Sequence, residues 1–418
     1  MANASNFNLS DISDAFKERF TGTMEKQYNN ANVVWAKIKK SNNFVSKKEY
    51  RSVGLSDGSG FGTGSLPSVS HDGASYDQAE ITHKKVYSVV EIDRLAMKAG
   101  KNSEGIFDVS ALEHVAKRAV SALSRNMSRI LFGNGDGLLY TGNASNSAPT
   151  GAGTAASPYI LKMDGDATSM VWAKFEEGDL VNINTETTNL SIAVVSTVAG
   201  SEYLHLVGTS ARLAALVTAA TAFTTTDKVY AQGSKDNDPS GLRLIQNTTG
   251  TSFGVAHTNR RWQGSLIAAS GAGVSEDLLN QLVLDIEEKS GKTPDMIVAS
   301  YFQFRKIKDF MSDHKRIEVM PRDSSLVGKL SFSALQFMSA SGPIPIIADR
   351  FVEKDYVYAI NSDHIEAMHA PDFGWFDEDG TVFLRRDTAD RYQARYGGYM
   401  QIYIEPIFHG VLTGLADS

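Results

Sequence analysis

The sequence predicts an α+β protein that carries a smaller inserted β domain, and three observations lead to this fold class. The last third alternates helix and strand patterns. Two segments of small and polar residues, 141–158 and 232–241, bracket a run of short strand-like segments. A long amphipathic helix pattern precedes the first of them. At 418 residues the chain is about three times an ordinary domain of ~150 residues, so we expect several sub-domains.

The composition excludes several classes of function. The chain has no cysteine, which excludes disulfide frameworks, thiolate nucleophiles and cysteine-ligated zinc. Its formal net charge of −7 argues against a protein whose main task is to neutralise nucleic-acid phosphates. The sequence contains no apolar run of the ~18 residues needed to span a bilayer and no secretory signal near Met1, so we expect maturation in a cytoplasm.

An amphipathic helix is predicted near the start of an N-terminal arm, residues 1–47. Ser10 can cap this helix, and apolar side chains recur every fourth residue, among them Phe16 and Phe20. We expect the apolar stripe to dock on the chain itself or on a neighbouring molecule. A helix that lies on a membrane surface is the alternative.

Residues 48–92 are predicted to form a long hairpin. Strand-like alternation covers Lys48–Val53 and Glu80–Ile92, and the tip, residues 54–75, is dominated by glycine and serine. An isolated two-stranded ribbon is marginally stable in water, so we expect the hairpin to find its support on a neighbouring copy of the chain rather than on its own chain. An assembly arm and a lid over a ligand are both compatible with this pattern.

The strongest predicted helix follows. Ser110 and Glu113 form a capping box, an apolar row runs from Leu112 to Ile130, and Gly133 ends the helix. The ~22 residues span about 33 Å at ~1.5 Å per residue. Its basic face could contact nucleic acid, but no aromatic residues are interleaved with the charges.

The bracketed segment, residues 151–236, is predicted to be a small barrel-like β domain. Its net charge of −4 gives no nucleic-acid footprint. The predicted strands are 171–175, 180–183, 191–198, 203–207 and 228–231.

The last third contains two capped helices. Ser275 caps a helix that ends at Gly291, and Ser300 with Gln303 forms a capping box for a helix reaching about Phe310. The predicted strands here are 296–299, 345–348, 356–360, 364–368, 381–384 and 400–404.

No catalytic, cofactor-binding or metal-binding residue is predicted. Ser252 lies in a G-x-S-x-G sequence, but a polar loop follows it where a nucleophile elbow needs a helix, so a serine hydrolase is only the alternative. The glycines of residues 58–64 have no surrounding βαβ unit. The nine histidines lack the spacing of a helical zinc site, and residues 377–380 lack the last glutamate of a calcium loop.

Four stretches, taken in order, resemble the major capsid protein of tailed bacteriophages. They cover most of the chain outside the insertion. They are Lys85–Met97 before the long helix, Lys292–Val298 before the Tyr301 helix, Pro345–Arg350 with Tyr356–Ile360, and Glu405–Gly414.

The resemblance implies the HK97-type shell fold with defined parts. These are an N-arm (1–47), an extended hairpin loop (48–92), a peripheral domain with the long helix (93–150), the insertion (151–236), an axial domain (237–375) and return strands of the peripheral domain (376–418). It also implies a non-enzymatic protein without cofactors. Such a protein assembles as hexamers and pentamers into the icosahedral shell around a double-stranded DNA genome.

The resemblance further implies where subunits meet. In the hairpin we expect Phe61, Lys84, Lys85 and Tyr87 to contact neighbouring subunits, and in the arm Phe16 and Phe20 do so. About 45 residues precede the hairpin, so we expect a separate scaffolding protein, together with a portal and, as a further candidate, a decoration protein. We expect assembly in the host bacterial cytoplasm, no membrane, and DNA enclosed without sequence-specific binding. Another phage structural protein, of the tail tube or a decoration type, is the alternative.

Overall fold

The computed structural model groups the chain into two compact units. One contains residues 1–47, 83–128 and 367–401, and the other contains 48–82, 129–366 and 402–418. The predicted helix near the start, the centre of the hairpin tip and the predicted capping box at Ser110 lie outside the described residues. The structure describes residues 33–41, 48–59, 73–93, 121–143, 146–163, 171–198, 201–313, 335–339, 341–376, 382, 384–385 and 390–416.

A five-stranded sheet characterises the first unit. Its central strands are Ile365–Trp375 and Arg391–Ile404, whose outer ends, 365–366 and 402–404, are grouped with the second unit. Arg391–Ile404 pairs along ten residues with Lys84–Asp93. The rings of Trp375 and Tyr396 pack with their centroids 5.2 Å apart. The remaining elements are the helix Val33–Lys37 and the strands Lys39–Ser41 and Leu384–Arg385.

The predicted hairpin is shorter in the structure. Ser75–Thr82 pairs with Lys48–Ser56, but the continuous predicted strand to Ile92 is interrupted at His83. After this point the chain pairs with Arg391–Ile404 instead. Alternation of polar and apolar side chains indicates which face of a strand is buried, but it does not indicate which strand pairs with it. The sequence therefore does not reveal that the partner strand changes at His83.

The long helix is described over its C-terminal part, residues 121–131. Leu123, Met127 and Ile130 of the predicted apolar row are buried. The N–H of Gly133 donates to the carbonyl oxygen of Ile130 at 2.9 Å and ends the helix where predicted.

A six-stranded antiparallel sheet with its own apolar core combines five strands of the insertion with Leu138–Thr141, which precedes the predicted boundary at 151. The predicted strand at 171–175 is wrong, because Val171–Lys174 is a short helix. The helix Ala211–Ala219, capped by Ser210, was not predicted. Closure of the sheet into a barrel stays a prediction. The strand order is Leu138–Thr141, Lys228–Ala231, Leu180–Ile183, Leu190–Val198, Ser201–Val207 and Tyr159–Lys162.

The small residues of 141–158 permit close packing, although their composition predicts a linker. A Cβ atom on Gly151 would lie 1.9 Å from the carbonyl oxygen of Pro158, and one on Gly142 would lie 2.3 Å from that of Thr224. Thr150 and Ile160 exchange backbone hydrogen bonds. Glycine is therefore needed here because backbones approach closely.

The second unit also contains a six-stranded mixed sheet, the body sheet, with two helices packed into one core. Glu276–Ser290 begins after Ser275, whose Oγ accepts from the N–H of Leu278 at 3.3 Å, and ends at Gly291 with φ 69°. Tyr301–Asp313 begins after Ser300, as predicted. The strand order is Ser265–Ala268, Gly410–Thr413, Val357–Ile360, Met296–Ala299, Gly342–Ala348 and Leu335–Ser339. Short 3₁₀ turns cover Leu242–Gln246, Arg260–Trp262, Ser362–His364 and Pro406–Phe408.

A buried histidine precedes the central strand Gly410–Thr413. The Nδ1 atom of His409 accepts from the N–H of Asn361 at 3.1 Å, and the side chain has no solvent exposure. Burial disfavours the imidazolium and lowers the pKa of His409 to about 3.

This burial predicts that stability decreases in mild acid. Below about pH 6.5 the unfolded chain takes up a proton on His409, whereas the folded chain does not accept it until about pH 3. The free energy of unfolding therefore decreases as the pH is lowered through this range. Between pH 6 and 5 we expect His409 alone to contribute a loss of about 1 kcal/mol. Urea unfolding at both pH values measures this loss.

The variant His409→Gln should remove that share of the pH dependence. The core variant Leu412→Val, which changes no titratable group, should lower stability equally at both pH values. An unchanged pH dependence in His409→Gln would show that the histidine is not responsible.

Candidate assembly surface

The hairpin has one face directed to its own unit and one face directed to solvent. Because paired residues point to the same side, Arg51, Ala79 and Ile81 share the inner face, and Tyr50 and Tyr76 share the outer face. Ala79 and Ile81 are fully buried. The outer tyrosines are 58% and 69% exposed.

An aromatic cluster supports the inner face. Phe253 and Trp262 both pack against Tyr403, with ring centroids 5.5 Å and 6.2 Å away. The N–H of Glu80 donates to the carbonyl oxygen of Phe253 at 2.7 Å, which attaches the hairpin backbone to this cluster.

Arg51 is the central polar anchor of the inner face. Its Nη1 lies 2.7 Å from a carboxylate oxygen of Glu366, and its guanidinium carbon lies 4.8 Å from the centre of the Tyr403 ring. Burial opposes the charge of Arg51, but the hydrogen bond and charge of Glu366 outweigh burial and raise the pKa of Arg51. Burial also raises the pKa of Tyr403, so its ring faces the cation as a neutral phenol.

A second ion pair holds the far end of the first strand. Arg261 Nη1 lies 2.7 Å from Asp57 Oδ1, and a second contact between the same two side chains makes the pair bidentate. The hydrogen bond and charge of Arg261 lower the pKa of Asp57.

The expectation that the hairpin finds no support on its own chain is therefore wrong for its described strands. Sequence reasoning missed the anchors because Arg51, Phe253 and Glu366 are far apart in the chain. An available signal was an arginine on the strand face that also carries Ala79 and Ile81. The exposed Tyr50 and Tyr76 remain available to a neighbouring molecule.

Three of the predicted contact residues lie in a different sheet from the hairpin. Lys84, Lys85 and Tyr87 belong to the strand that pairs with Arg391–Ile404. Tyr87 is 52% exposed and is paired with Gly397 on the neighbouring strand. A Cβ atom on Gly397 would lie 2.2 Å from the carbonyl oxygen of Val86. Their contact with a neighbouring subunit stays a prediction.

The other three predicted contact residues, Phe16, Phe20 and Phe61, lie outside the described residues. The structure therefore brings together Lys84, Lys85 and Tyr87 on one strand and leaves the proposed contacts of the arm and the hairpin tip as expectations.

Ser252 has a structural role in a tight hairpin. Phe253 and Gly254 have φ values of 52° and 83° and form the turn between Thr251–Ser252 and Val255–Ala256. The buried Oγ of Ser252 accepts a hydrogen bond from Trp262 Nε1 at 3.0 Å, and His257 Nδ1 lies 3.1 Å from the carbonyl oxygen of Trp262. The motif therefore encodes a turn, and the Ser252 hydroxyl is held by the Trp262 indole.

A buried ion cluster joins the insertion to the body of the second unit. Glu353 Oε1 lies 2.9 Å from Arg243 Nη1 and 3.5 Å from Lys174 Nζ, and Arg129 pairs with Asp238 at 2.8 Å. Burial lowers the pKa of Lys174. The adjoining cavity of about 20 Å³ has room for about one water molecule, so the cluster is a structural centre.

The described part of the chain contains neither a grouped set of metal ligands nor a membrane-spanning helix. There, no three histidine or acidic side chains are grouped so that they could hold a metal ion. The helices within the described ranges are all too short or too polar to cross a membrane.

The anchoring of Arg51 gives a testable prediction. Arg51→Ala removes a charged hydrogen bond and leaves Glu366 without this partner, so we expect a loss of about 2 kcal/mol in the free energy of unfolding. Hydrogen exchange should accelerate in Ser75–Thr82. Ser52→Ala, on the exposed face of the same strand, is the matched control and should leave both quantities unchanged. Equal effects of the two variants would contradict the anchor.

Comparison with known proteins gives one family match and a shared fold. Residues 211–400 match the model of the SU10 major capsid protein family. A chain of the cyanophage A-1(L) capsid is 10% identical, with a TM-score of 0.50 over 94% of this chain and 93% of that chain. The encapsulin SrpI of Synechococcus elongatus PCC 7942 is 7% identical, with a TM-score of 0.44 over 90% and 85% of the two chains.

The capsid of the Myoviridae phage XM1 gives a TM-score of 0.41 at 10% identity over 91% of this chain and 90% of that chain. No curated protein matches the sequence. Of these structures, the cyanophage capsid chain is the one that supports a shared fold. The family match and the shared fold indicate a structural protein. This chain is therefore similar to the major capsid proteins of tailed phages and shares the HK97-type fold.

Proposed function

We propose that this chain assembles with itself, as hexamers and pentamers, into an icosahedral shell around a double-stranded DNA phage genome. The observation that carries the proposal is the cyanophage capsid fold, which extends over 94% of this chain. The family match over residues 211–400 supports the same function from sequence.

The exposed aromatic residues support self-association. Tyr50 and Tyr76 stand on the outer face of an anchored hairpin, and Tyr87 and Tyr399 are exposed on the first unit's sheet. Tyrosine is enriched at protein interfaces, because its ring buries apolar area while its hydroxyl can be hydrogen-bonded. Shell contacts of this kind can sum to stable assembly at about 25 cal/mol per Å² of apolar area, even after the loss of association entropy.

The charge of the chain suits enclosure of DNA. A net charge of −7 gives little general affinity for phosphates, so packaged DNA could move past the inner wall. The proposed partners are other copies of the chain, a separate scaffolding protein, a portal and a decoration protein. The proposed place of assembly is the host bacterial cytoplasm. The domain limits given above, from the arm at 1–47 to the return strands at 376–418, belong to this proposal.

Electron microscopy of the purified assembly tests the function, and closed shells are the expected result. In the variant Tyr50→Ser/Tyr76→Ser we expect at least a tenfold lower yield of shells. Exposed substitutions of this kind typically change stability by less than about 0.5 kcal/mol, so the soluble subunit should stay folded.

The control is Val198→Ser, which alters a side chain of the insertion that is 59% exposed. It should assemble normally. Rods or rings from the unaltered chain would instead favour a tail-tube protein. Normal shells from the double tyrosine variant would contradict the role of the hairpin face.

Removal of residues 54–75 should likewise give a soluble subunit that does not form shells. Because Arg261 pairs with Asp57, this deletion also removes one anchor of the hairpin, so the tyrosine variant is the more specific test.

A further inference from the structure

Two helices of the body sheet expose stripes of opposite charge. Both helices pack into one core, with Leu279, Leu282 and Ile286 from Glu276–Ser290 and Ile307 and Met311 from Tyr301–Asp313. The faces turned away from this core are the exposed surface.

The acidic stripe consists of Asp277, Gln281, Leu284 and Glu288, which are all exposed and follow helical spacing. Leu284, in its middle, is 50% exposed. The whole helix has five acidic residues and one basic residue. The basic one, Lys289, is already paired with Asp285 at 2.6 Å.

The basic stripe consists of Tyr301, Arg305 and Lys308, which are exposed at the same spacing. Tyr301 is 60% exposed. Beside the stripe, Arg305 and Lys306 lie 5.3 Å and 5.4 Å from the centre of the Phe302 ring, which concentrates positive charge at the start of the helix. The acidic residue Asp309 is exposed beside Lys308, at the C-terminal border of the stripe.

We propose that the acidic stripe of one copy of this chain docks on the basic stripe of another copy. Each stripe contains one exposed apolar side chain beside charged groups, the arrangement of an interface core with a polar rim. Two molecules of net charge −7 repel one another, and a pair of complementary stripes gives them a favourable orientation for encounter.

A second copy fits the stripes better than nucleic acid does. Nucleic acid could use the basic stripe alone, and the acidic helix on the same face of the sheet would repel it. A second copy uses both stripes. The inference rests on the proposed function, since it names two surfaces through which shell subunits would recognise one another.

Charge reversal tests this pairing. The acid-reversed variant is Asp277→Lys/Glu288→Lys, the base-reversed variant is Arg305→Glu/Lys308→Glu, and the third variant combines all four changes. At about 50 mM salt we expect each double variant to lower the yield of shells at least tenfold, whereas the combined variant recovers most of it. About 0.5 M salt should reduce these differences, because exposed charges are then screened within a few ångströms.

The single variants Glu288→Lys and Glu177→Lys form a matched pair, since both place lysine at an exposed glutamate but only the first lies in the stripe. Circular dichroism confirms that each variant is folded. Normal assembly of the folded double variants would overturn the proposal, as would a combined variant no better than the doubles. Loss of DNA binding by the base-reversed variant without loss of assembly would assign the stripe to nucleic acid and also overturn it.

Failure of the proposed function can be distinguished from failure of this inference. If the unaltered chain forms no shells, the proposed function is wrong. Sedimentation velocity of the soluble chains then still tests the stripes. Self-association of the unaltered and combined chains, but not of the doubles, supports the pairing, and equal behaviour of all four contradicts it.

Discussion

The buried carboxylate of Glu353 is the interaction on which the arrangement of the second unit depends. It faces Arg243 from the body and Lys174 from the insertion, and a separate pair, Arg129 with Asp238, lines the same small cavity. Removing one partner of such a buried pair leaves an uncompensated charge, at a cost of about 3–5 kcal/mol. The cluster therefore ties the insertion to the body through Lys174 and Glu353.

The two faces of the hairpin have different roles. Arg51, Ala79 and Ile81 bind it to its own unit, so part of the ordering entropy is lost when the subunit folds. A preorganised arm loses less entropy on association than a disordered one. The tyrosines on the opposite face can then contribute their buried area to an interface with less ordering of the backbone. An arm supported by its own subunit is consistent with assembly, although it differs from the unsupported ribbon that the sequence suggested.

Local signals in the sequence predicted most elements of the body. The caps at Ser275 and Ser300, the stop at Gly291 and the strand Met296–Ala299 are where the sequence places them, because each depends on residues within one turn or one strand. What failed depends on partners distant in the chain. The change of partner at His83, the close packing at Gly151 and the support of Arg51 by Glu366 are set by tertiary contacts that no local pattern encodes.

The candidate assembly surface likewise depends on contacts between residues that are distant in the chain. Exposure of Tyr50 and Tyr76 follows from strand alternation once the buried face is known, and the face was identified only by the structure. At Ser252 the sequence matches a functional motif, but the same G-x-S-x-G pattern also fits a turn. A glycine after the turn residue Phe253 serves hairpin geometry as well as a nucleophile elbow does, and only the position of Trp262 distinguishes the two.

The glycines that pack at the root of the insertion have a consequence for engineering. Gly142 and Gly151 lie against backbone of the insertion itself rather than in a loose tether, and the ion pair of Lys174 with Glu353 joins the insertion to the body. A peptide grafted at the exposed end of the strand Leu190–Val198 would therefore keep a fixed direction relative to that body. The chain thus offers a rigid mount for displayed ligands, and alanine at either glycine would be expected to loosen it.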